Sequence, residues 1–275
     1  MNTRGKIHTQ RAQNIIAVIP ARLFSTRLPN KLLLNLAGKP LILWTVGQAA
    51  KAKNVSRVIV ATDSEEILRV VRKNGFEAVL TSANHQSGSD RIAEVAEILE
   101  ENSIIVNVQG DEPLISPQTI ESAIDAILQD DSIDIATTCE PIDDVKDVLS
   151  PDVVKVITDE NDFALYFSRL PIPFPREAVK KHETLENALN SEKDLLARYR
   201  KHTGLYVYRR EFLLKYTKLQ QTNLEKLEML EQLRALENGA RIKVVEVSES
   251  SIGVDTQEDF ERVRQILREG QRTND

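Results

Sequence analysis

Cysteine is nearly absent: Cys139 is the only one in 275 residues, so no intramolecular disulfide can form and nothing points to an oxidising compartment. Long hydrophobic runs are lacking too. No apolar stretch approaches the ~20 residues of a membrane span, and the chain is expected in the cytoplasm. Positive charge is not in excess, since 36 Lys and Arg stand against 42 Asp and Glu; a net charge of −6 argues against a general nucleic-acid binder and leaves room only for a local basic pocket. The glycine-rich phosphate loops are missing as well. Neither Gly-x-x-x-x-Gly-Lys-Ser/Thr nor Gly-x-Gly-x-x-Gly follows the first expected strand, so neither a P-loop NTPase nor a Rossmann dehydrogenase is supported.

What is present is ordinary for a globular protein, with 41% hydrophobic and 28% charged residues. The length suits one large α/β domain or two small ones. Residues 1–14 are polar, carry Arg4, Lys6 and Arg11 without an acidic side chain, and lack the apolar middle of a secretory signal. A disordered extension is expected there, followed by a single domain over 15–268 and a tail over 269–275.

The most informative stretch runs from Ile15 to Lys31. Its first five residues form a short, mostly β-branched apolar run, which suits a strand buried on both faces of a parallel sheet. Pro20 is expected to end it, because proline lacks the N–H a neighbouring strand needs. The loop beyond carries Arg22, Ser25, Thr26, Arg27 and Lys31. In open α/β sheets, ligands sit beyond the carboxyl ends of the strands, and three cations in one such loop favour a polyanion. The expectation is a triphosphate cradle that binds with side chains more than with glycine backbone.

Strand and helix then alternate as far as Cys139. Helices are expected over Leu41–Ala52, behind a capping box of Asp63 and Glu66, around Ile92–Leu99 and around Ile120–Ile127; strands are expected over Arg57–Thr62, Glu77–Thr81, Ile104–Val108 and Ile133–Thr138. This is the pattern of a doubly wound, mostly parallel α/β sheet. Later, Val153–Thr158 and Phe163–Phe167 read as an antiparallel hairpin, and the charged 176–201 stretch, within a 140–205 segment, as a lid or dimerisation arm. Tyr206–Tyr208 and Ile242–Val247 read as strands, Leu224–Leu236 as one helix, and Thr256 as the cap of the last helix.

Two acidic turns carry the chemistry. Asp111 follows a buried strand on a Gly-Asp-Glu-Pro turn, and Asp255 follows another on Ser-Ile-Gly-Val-Asp. Each alone is matched by a bland reading, as a turn aspartate or as helix-start electrostatics. Together, on one sheet edge near a cationic loop, they describe a site for Mg²⁺ and metal-assisted nucleotidyl transfer. Glu231 falls on the apolar face of its expected helix, where a carboxylate is costly without partners.

Several motifs in chain order resemble one family closely. Pro-Ala-Arg-x-x-Ser-Thr-Arg-Leu-Pro-x-Lys at 20–31, His-Gln-Ser-Gly-Ser-Asp-Arg at 85–91 and Val-Asn-Val-Gln-Gly-Asp-Glu-Pro at 106–113 are similar to the 3-deoxy-manno-octulosonate cytidylyltransferases. So are Ala-Leu-Tyr-Phe-Ser-Arg at 164–169, Leu-Glu-Met-Leu-Glu-Gln-Leu-Arg at 227–234 and Gly-Val-Asp-Thr at 253–256. The resemblance implies a nucleotide-diphospho-sugar-transferase-type fold, usually dimeric. Its reaction joins CTP to the eight-carbon sugar acid 3-deoxy-D-manno-octulosonate (KDO), giving CMP-KDO and pyrophosphate for the lipopolysaccharide inner core.

Carried over by motif, Arg22 and Lys31 would grip the triphosphate with Ser25 close by, and Gly88 and Arg91 would lie against cytosine and ribose. Asp111 and Asp255 would hold Mg²⁺. Arg27, Gln109, Arg169, His202, Tyr206, Glu231 and Gln232 would surround the sugar acid. Leu23 and Phe24 replace the family's usual Tyr-Ala, and Asn30 replaces a glycine. The alternatives at this point are an 8-amino analogue of KDO or sialic acid as substrate, a glycosyltransferase using a finished nucleotide sugar, and a non-catalytic nucleotide-binding protein. The cationic loop and the paired aspartates speak against the last two.

Overall fold

The computed structural model describes residues 14–25, 27–249 and 251–272. The expected N-terminal extension up to residue 13, Thr26 of the opening loop and residues 273–275 of the expected tail lie outside them. Strand β1 (Ile15–Ala21) leads through a 3₁₀ turn (Lys31–Leu33) and a small hairpin of β2 (Asn35–Leu36) and β3 (Lys39–Pro40) into α1 (Leu41–Ala49). Then follow β4 (Arg57–Thr62), α2 (Glu65–Lys73), β5 (Glu77–Leu80), α3 (Gly88–Glu97), β6 (Ile104–Asn107), α4 (Pro117–Gln129), β7 (Ile135–Pro141) and α5 (Val145–Leu149). The hairpin β8 (Lys155–Thr158) and β9 (Ala164–Ser168) precedes three short helices, α6 (Arg176–His182), α7 (Leu185–Ser191) and α8 (Lys193–Leu196). The chain continues with β10 (Arg200–Arg209), α9 (Arg210–Tyr216), α10 (Asn223–Glu228), α11 (Gln232–Glu237), β11 (Ile242–Glu246) and α12 (Gln257–Arg272).

The strands order as β11-β7-β10-β6-β1-β4-β5, with β8 paired to β10 and to β9. β5, β4, β1 and β6 are mutually parallel, as the strand and helix alternation requires, and β7 runs parallel to β11. β10 enters antiparallel between β6 and β7. That insertion carries His202, Gly204 and Tyr206 across the carboxyl end of β6, where Tyr206 stands opposite Asn107. The β8–β9 pair is the expected antiparallel hairpin.

Alternation along β1 explains the two-faced core. Ile15, Ala17, Ile19 and Ala21 face α1, α4 and α12, whereas Ile16 and Val18 face α3, α9 and α11. β1 also runs through Pro20 rather than ending there. Its pairing with β6 stops at Val18, so the missing N–H of Pro20 leaves no β6 carbonyl without a donor.

Three further expectations are corrected. The cap of α2 is Ser64, whose hydroxyl accepts from the Glu66 and Ile67 N–H groups, while Asp63 pairs with Arg91. The single helix expected over Leu224–Leu236 is broken: Met229 takes a left-handed conformation at φ 53°, ending α10, and α11 starts after Glu231. Leu227 is consequently 80% exposed, so the apolar face on which Glu231 was placed does not exist. The last helix continues to Arg272, into the stretch expected as a tail. The charged 176–201 stretch forms α6–α8 and packs through its own Leu189 and Tyr199 against Ile142 and Val148 in a satellite cluster.

Candidate active site

The loop after β1 turns back through Asn30, which adopts φ 53°, a conformation glycine reaches freely and asparagine tolerates. This turn aims Lys31 beneath the sheet edge. Its ammonium lies 2.5 Å from Asp111 Oδ2 and 2.8 Å from Asp255 Oδ1, and Arg27 pairs with the other Asp255 oxygen at 2.9 Å. Burial alone would lower the Lys31 pKa; the two carboxylates outweigh it and hold the ammonium above its ordinary value.

Close backbone approach brings the acidic turns together. A Cβ on Gly110 would stand 2.9 Å from the Pro20 carbonyl oxygen, so the residue before Asp111 has to be glycine for the turn to lie against the end of β1. Thr45 Oγ1 donates to the Gly110 carbonyl, and the Val254 N–H donates to the Asp111 carbonyl at 2.9 Å. Glu112 points inward below this turn. Burial and the neighbouring Asp111 push its carboxyl up to about 7, and one of its oxygens has no hydrogen-bond partner.

A cleft of about 850 Å³ opens above these groups, lined at one end by Arg22, Ser25, Lys31, Asp111 and Asp255. Gly88 and Ser89, the first residues of α3, face it, and Ser87 caps that helix in a reciprocal pair with Asp90. The N-terminus of α3 therefore adds favourable potential for an anion. Gln109, His202, Tyr206, Glu231 and Gln232 line the cleft as well.

Of these polar groups Gln232 is buried and the other four are half-buried. The His202 ring, bonded to Thr137 Oγ1, has its pKa pushed down to about 3 by burial. Glu231 is raised by burial, against the opposing hydrogen bond that Ser89 Oγ donates to it at 2.8 Å. Gln109 donates to the Gly204 carbonyl, and a Cβ on Gly204 would meet Gln109 Cγ at 3.1 Å, so glycine lets the bulged β10 pass this side chain. The break before Glu231 now has a purpose: the chain turns at Met229 and presents Leu230, Glu231 and Gln232 to the cleft.

Twelve of the fourteen residues singled out from the sequence line this cleft; Arg91 and Arg169 do not. Arg91 is fully buried, bonded to Thr81 Oγ1, the Ser82 carbonyl and Asp63, and so braces the loop ahead of α3 from beneath. Arg169 donates to the carbonyls of Pro151, Glu228 and Met229, tying the β8–β9 hairpin to the break that presents Glu231. Arg27 reaches the cleft but is held by Asp255. Ser89, Asn107 and Tyr208 were not singled out, yet all three line the cleft. Ser89 and Asn107 sit inside quoted motifs, and Tyr208 follows Tyr206 by two on one strand, the spacing that returns a side chain to the same face.

Among the described residues no group of three or more His, Cys, Asp or Glu gathers as a ready metal site. Asp111 and Asp255 reach a common ammonium, however, and two carboxylates so placed fit a hard cation that completes its shell with water and phosphate oxygens. Mg²⁺ matches this donor set; a metal seeking thiolate or imidazole does not.

A mostly parallel sheet with a cationic loop and paired acids at its carboxyl edge defines a nucleotidyltransferase class of site. The cytidylyltransferase family model matches residues 16–242. A 3-deoxy-manno-octulosonate cytidylyltransferase of Trichlorobacter lovleyi is 49% identical over 93% of this chain and 99% of its own length, and that of Geobacter sulfurreducens is 48% identical over 93% and 100%. A solved CMP:2-keto-3-deoxy-manno-octonic acid synthetase, complexed with CTP, superposes with a TM-score of 0.84 at 38% identity over 94% of this chain and all of that one. A 4-diphosphocytidyl-2C-methyl-D-erythritol synthase of Anaerococcus prevotii shares the fold alone, with a TM-score of 0.59 at 14% identity over 94% of this chain and all of that one. The chain belongs to the 3-deoxy-manno-octulosonate cytidylyltransferase family.

Proposed function

We propose that this protein condenses CTP with KDO to give CMP-KDO and pyrophosphate in the cytoplasm, activating the sugar acid for lipopolysaccharide inner-core assembly. The observation that carries this reading is a single cleft lined by the cations Arg22 and Lys31, by the hydrogen-bonding side chains of Gln109, His202, Tyr206, Glu231 and Gln232, and by the carboxylates Asp111 and Asp255 that share the Lys31 ammonium. The anomeric hydroxyl of the sugar acid attacks the α-phosphorus of CTP in line. A new O–P bond forms as the bond to the bridging α,β-oxygen breaks, and pyrophosphate leaves.

Arg22, Lys31 and the N-terminus of α3 stabilise the phosphates and the departing pyrophosphate. Gly88 keeps the nucleotide side of the cleft open, and Arg91 supports the loop against which cytosine and ribose lie. Gln109, His202, Tyr206, Glu231 and Gln232 orient the sugar hydroxyls. A guanidinium fork suits the sugar carboxylate, and Arg27 is the arginine at that junction. Mg²⁺ held by Asp111 and Asp255 would lower the pKa of the attacking hydroxyl and offset phosphate charge.

A homodimer is part of this reading. Around the Arg169 anchor, Leu170, Leu227 and Met229 are 69%, 80% and 76% exposed, and Phe174 is exposed nearby, an apolar surface suited to a second copy. The test is pyrophosphate release from CTP and Mg²⁺ with KDO set against sialic acid. Release with KDO and not with sialic acid supports the assignment; no release with either would overturn it.

A further inference from the structure

Lys31 stands where both ligands of this cleft would need to act. Its ammonium touches each acidic turn, and its side chain is only 12% exposed. Two carboxylates facing one gap repel each other, and partial burial strengthens that repulsion. Lys31 and Arg27 offset it. A polyanion arriving alone would have to strip those cations away and leave the acids facing both each other and itself. A divalent cation arriving alone would have to displace an ammonium already in place. Arriving together, each takes the partner that the other frees.

On the cytidylyltransfer reading above, we propose that Lys31 is a resident counter-ion of the Asp111–Asp255 pair that moves to the nucleotide's phosphates when a divalent cation takes the carboxylates. The residue has two positions and serves a different anion in each. Phosphate binding and metal binding are thereby coupled through one side chain, and the coupling is reciprocal. Lys31 is suited to the exchange because an ammonium on a flexible stem can be re-aimed, whereas a guanidinium fork is fixed to one plane. Lys31 and Arg22 line the same cleft, so both positions of the ammonium open onto one site.

The wild-type protein can report this directly. Lys31 is acetylated with a succinimidyl acetate and quantified by peptide mass spectrometry in free protein, with Mn²⁺ alone, and with Mn²⁺ plus CTP. Low modification in the free protein, a rise of about tenfold with Mn²⁺ alone and renewed protection with Mn²⁺ and CTP are expected. In parallel, electron paramagnetic resonance of Mn²⁺ with nucleotide-free protein should show about tenfold tighter binding to Lys31→Met, while Lys31→Arg stays near wild type. If Mn²⁺ at a concentration that fills the site, its occupancy read by electron paramagnetic resonance, leaves Lys31 modification unchanged, or if folded Lys31→Met binds Mn²⁺ no better than wild type, the exchange does not occur. Failure to retain CTP in equilibrium dialysis with Mg²⁺ would instead overturn the functional reading itself.

Discussion

The main-chain N–H of Val254 donates to the carbonyl of Asp111 at 2.9 Å, fastening the turn that bears Asp255 to the turn that bears Asp111. Residues far apart in the chain thus share a backbone bond one position from the second carboxylate. The acids are held by main chain, and Lys31 and Arg27 then balance their charge.

Asp111→Asn should leave the fold intact and cut turnover by at least ~10²-fold at any KDO concentration, because the lost interaction acts at the reacting phosphate. Pyrophosphate release, with CTP affinity measured separately, checks this. Turnover close to wild type would remove Asp111 from the reaction.

Arg169 acts through the backbone it grips. Arg169→Lys loses the fork that serves three carbonyls, so residues 228–232 should loosen. The expected result is a KM for KDO raised by about tenfold with CTP affinity unchanged, the sign of weakened positioning at one end of the cleft. A CTP affinity lowered equally would place Arg169 elsewhere in the mechanism.

Gly110→Ala should destabilise the protein by roughly 1–3 kcal/mol, since the added methyl meets the Pro20 carbonyl rather than a movable side chain. Thermal melting reads this. Gly253→Ala, which meets nothing within 4 Å, is the control that should melt near wild type.

Two half-buried groups give stability opposite pH dependences. Glu112, raised from 4.5 to about 7, holds its proton more tightly in the folded chain, so its contribution is complete below about pH 4.5 and is lost as pH rises through 7. His202, lowered from 6.5 to about 3, contributes fully above about pH 6.5 and loses that contribution as pH falls toward 3. In metal-free protein, Glu112→Gln should flatten the decline in melting temperature between about pH 4.5 and 7. An unchanged profile would show that Glu112 is not the group responsible.

The exposed apolar surface around Arg169 predicts a dimer in sedimentation velocity. Leu170→Glu combined with Met229→Glu should yield a folded monomer. A monomeric wild-type protein at tens of micromolar would rule out the assigned interface.

The motif from Pro20 to Lys31 was legible because Arg22, Arg27 and Lys31 lie close together in one short loop and follow a strand whose composition is unmistakable. Asp111 and Asp255 were legible for the same reason: each lies just past a buried run, and the sheet rule sends such turns to one edge. Glu231 was noticed on a false premise. Its expected helix is interrupted at Met229, and a left-handed residue outside glycine leaves little trace in periodicity.

Sequence by itself determined which groups gather at the carboxyl edge of the sheet, because strand order along the chain and the direction of parallel crossovers are local properties repeated in series. Only the tertiary structure decided their partners. The insertion of β10 between β6 and β7, the bond from Val254 to Asp111, the burial of Arg91 and the bonding of Arg169 to three carbonyls all depend on segments meeting from distant parts of the chain. Where a charged side chain finds its counterpart is set by that meeting and by the cost of leaving it unpaired, and neither is encoded within reach of the residue's own neighbours.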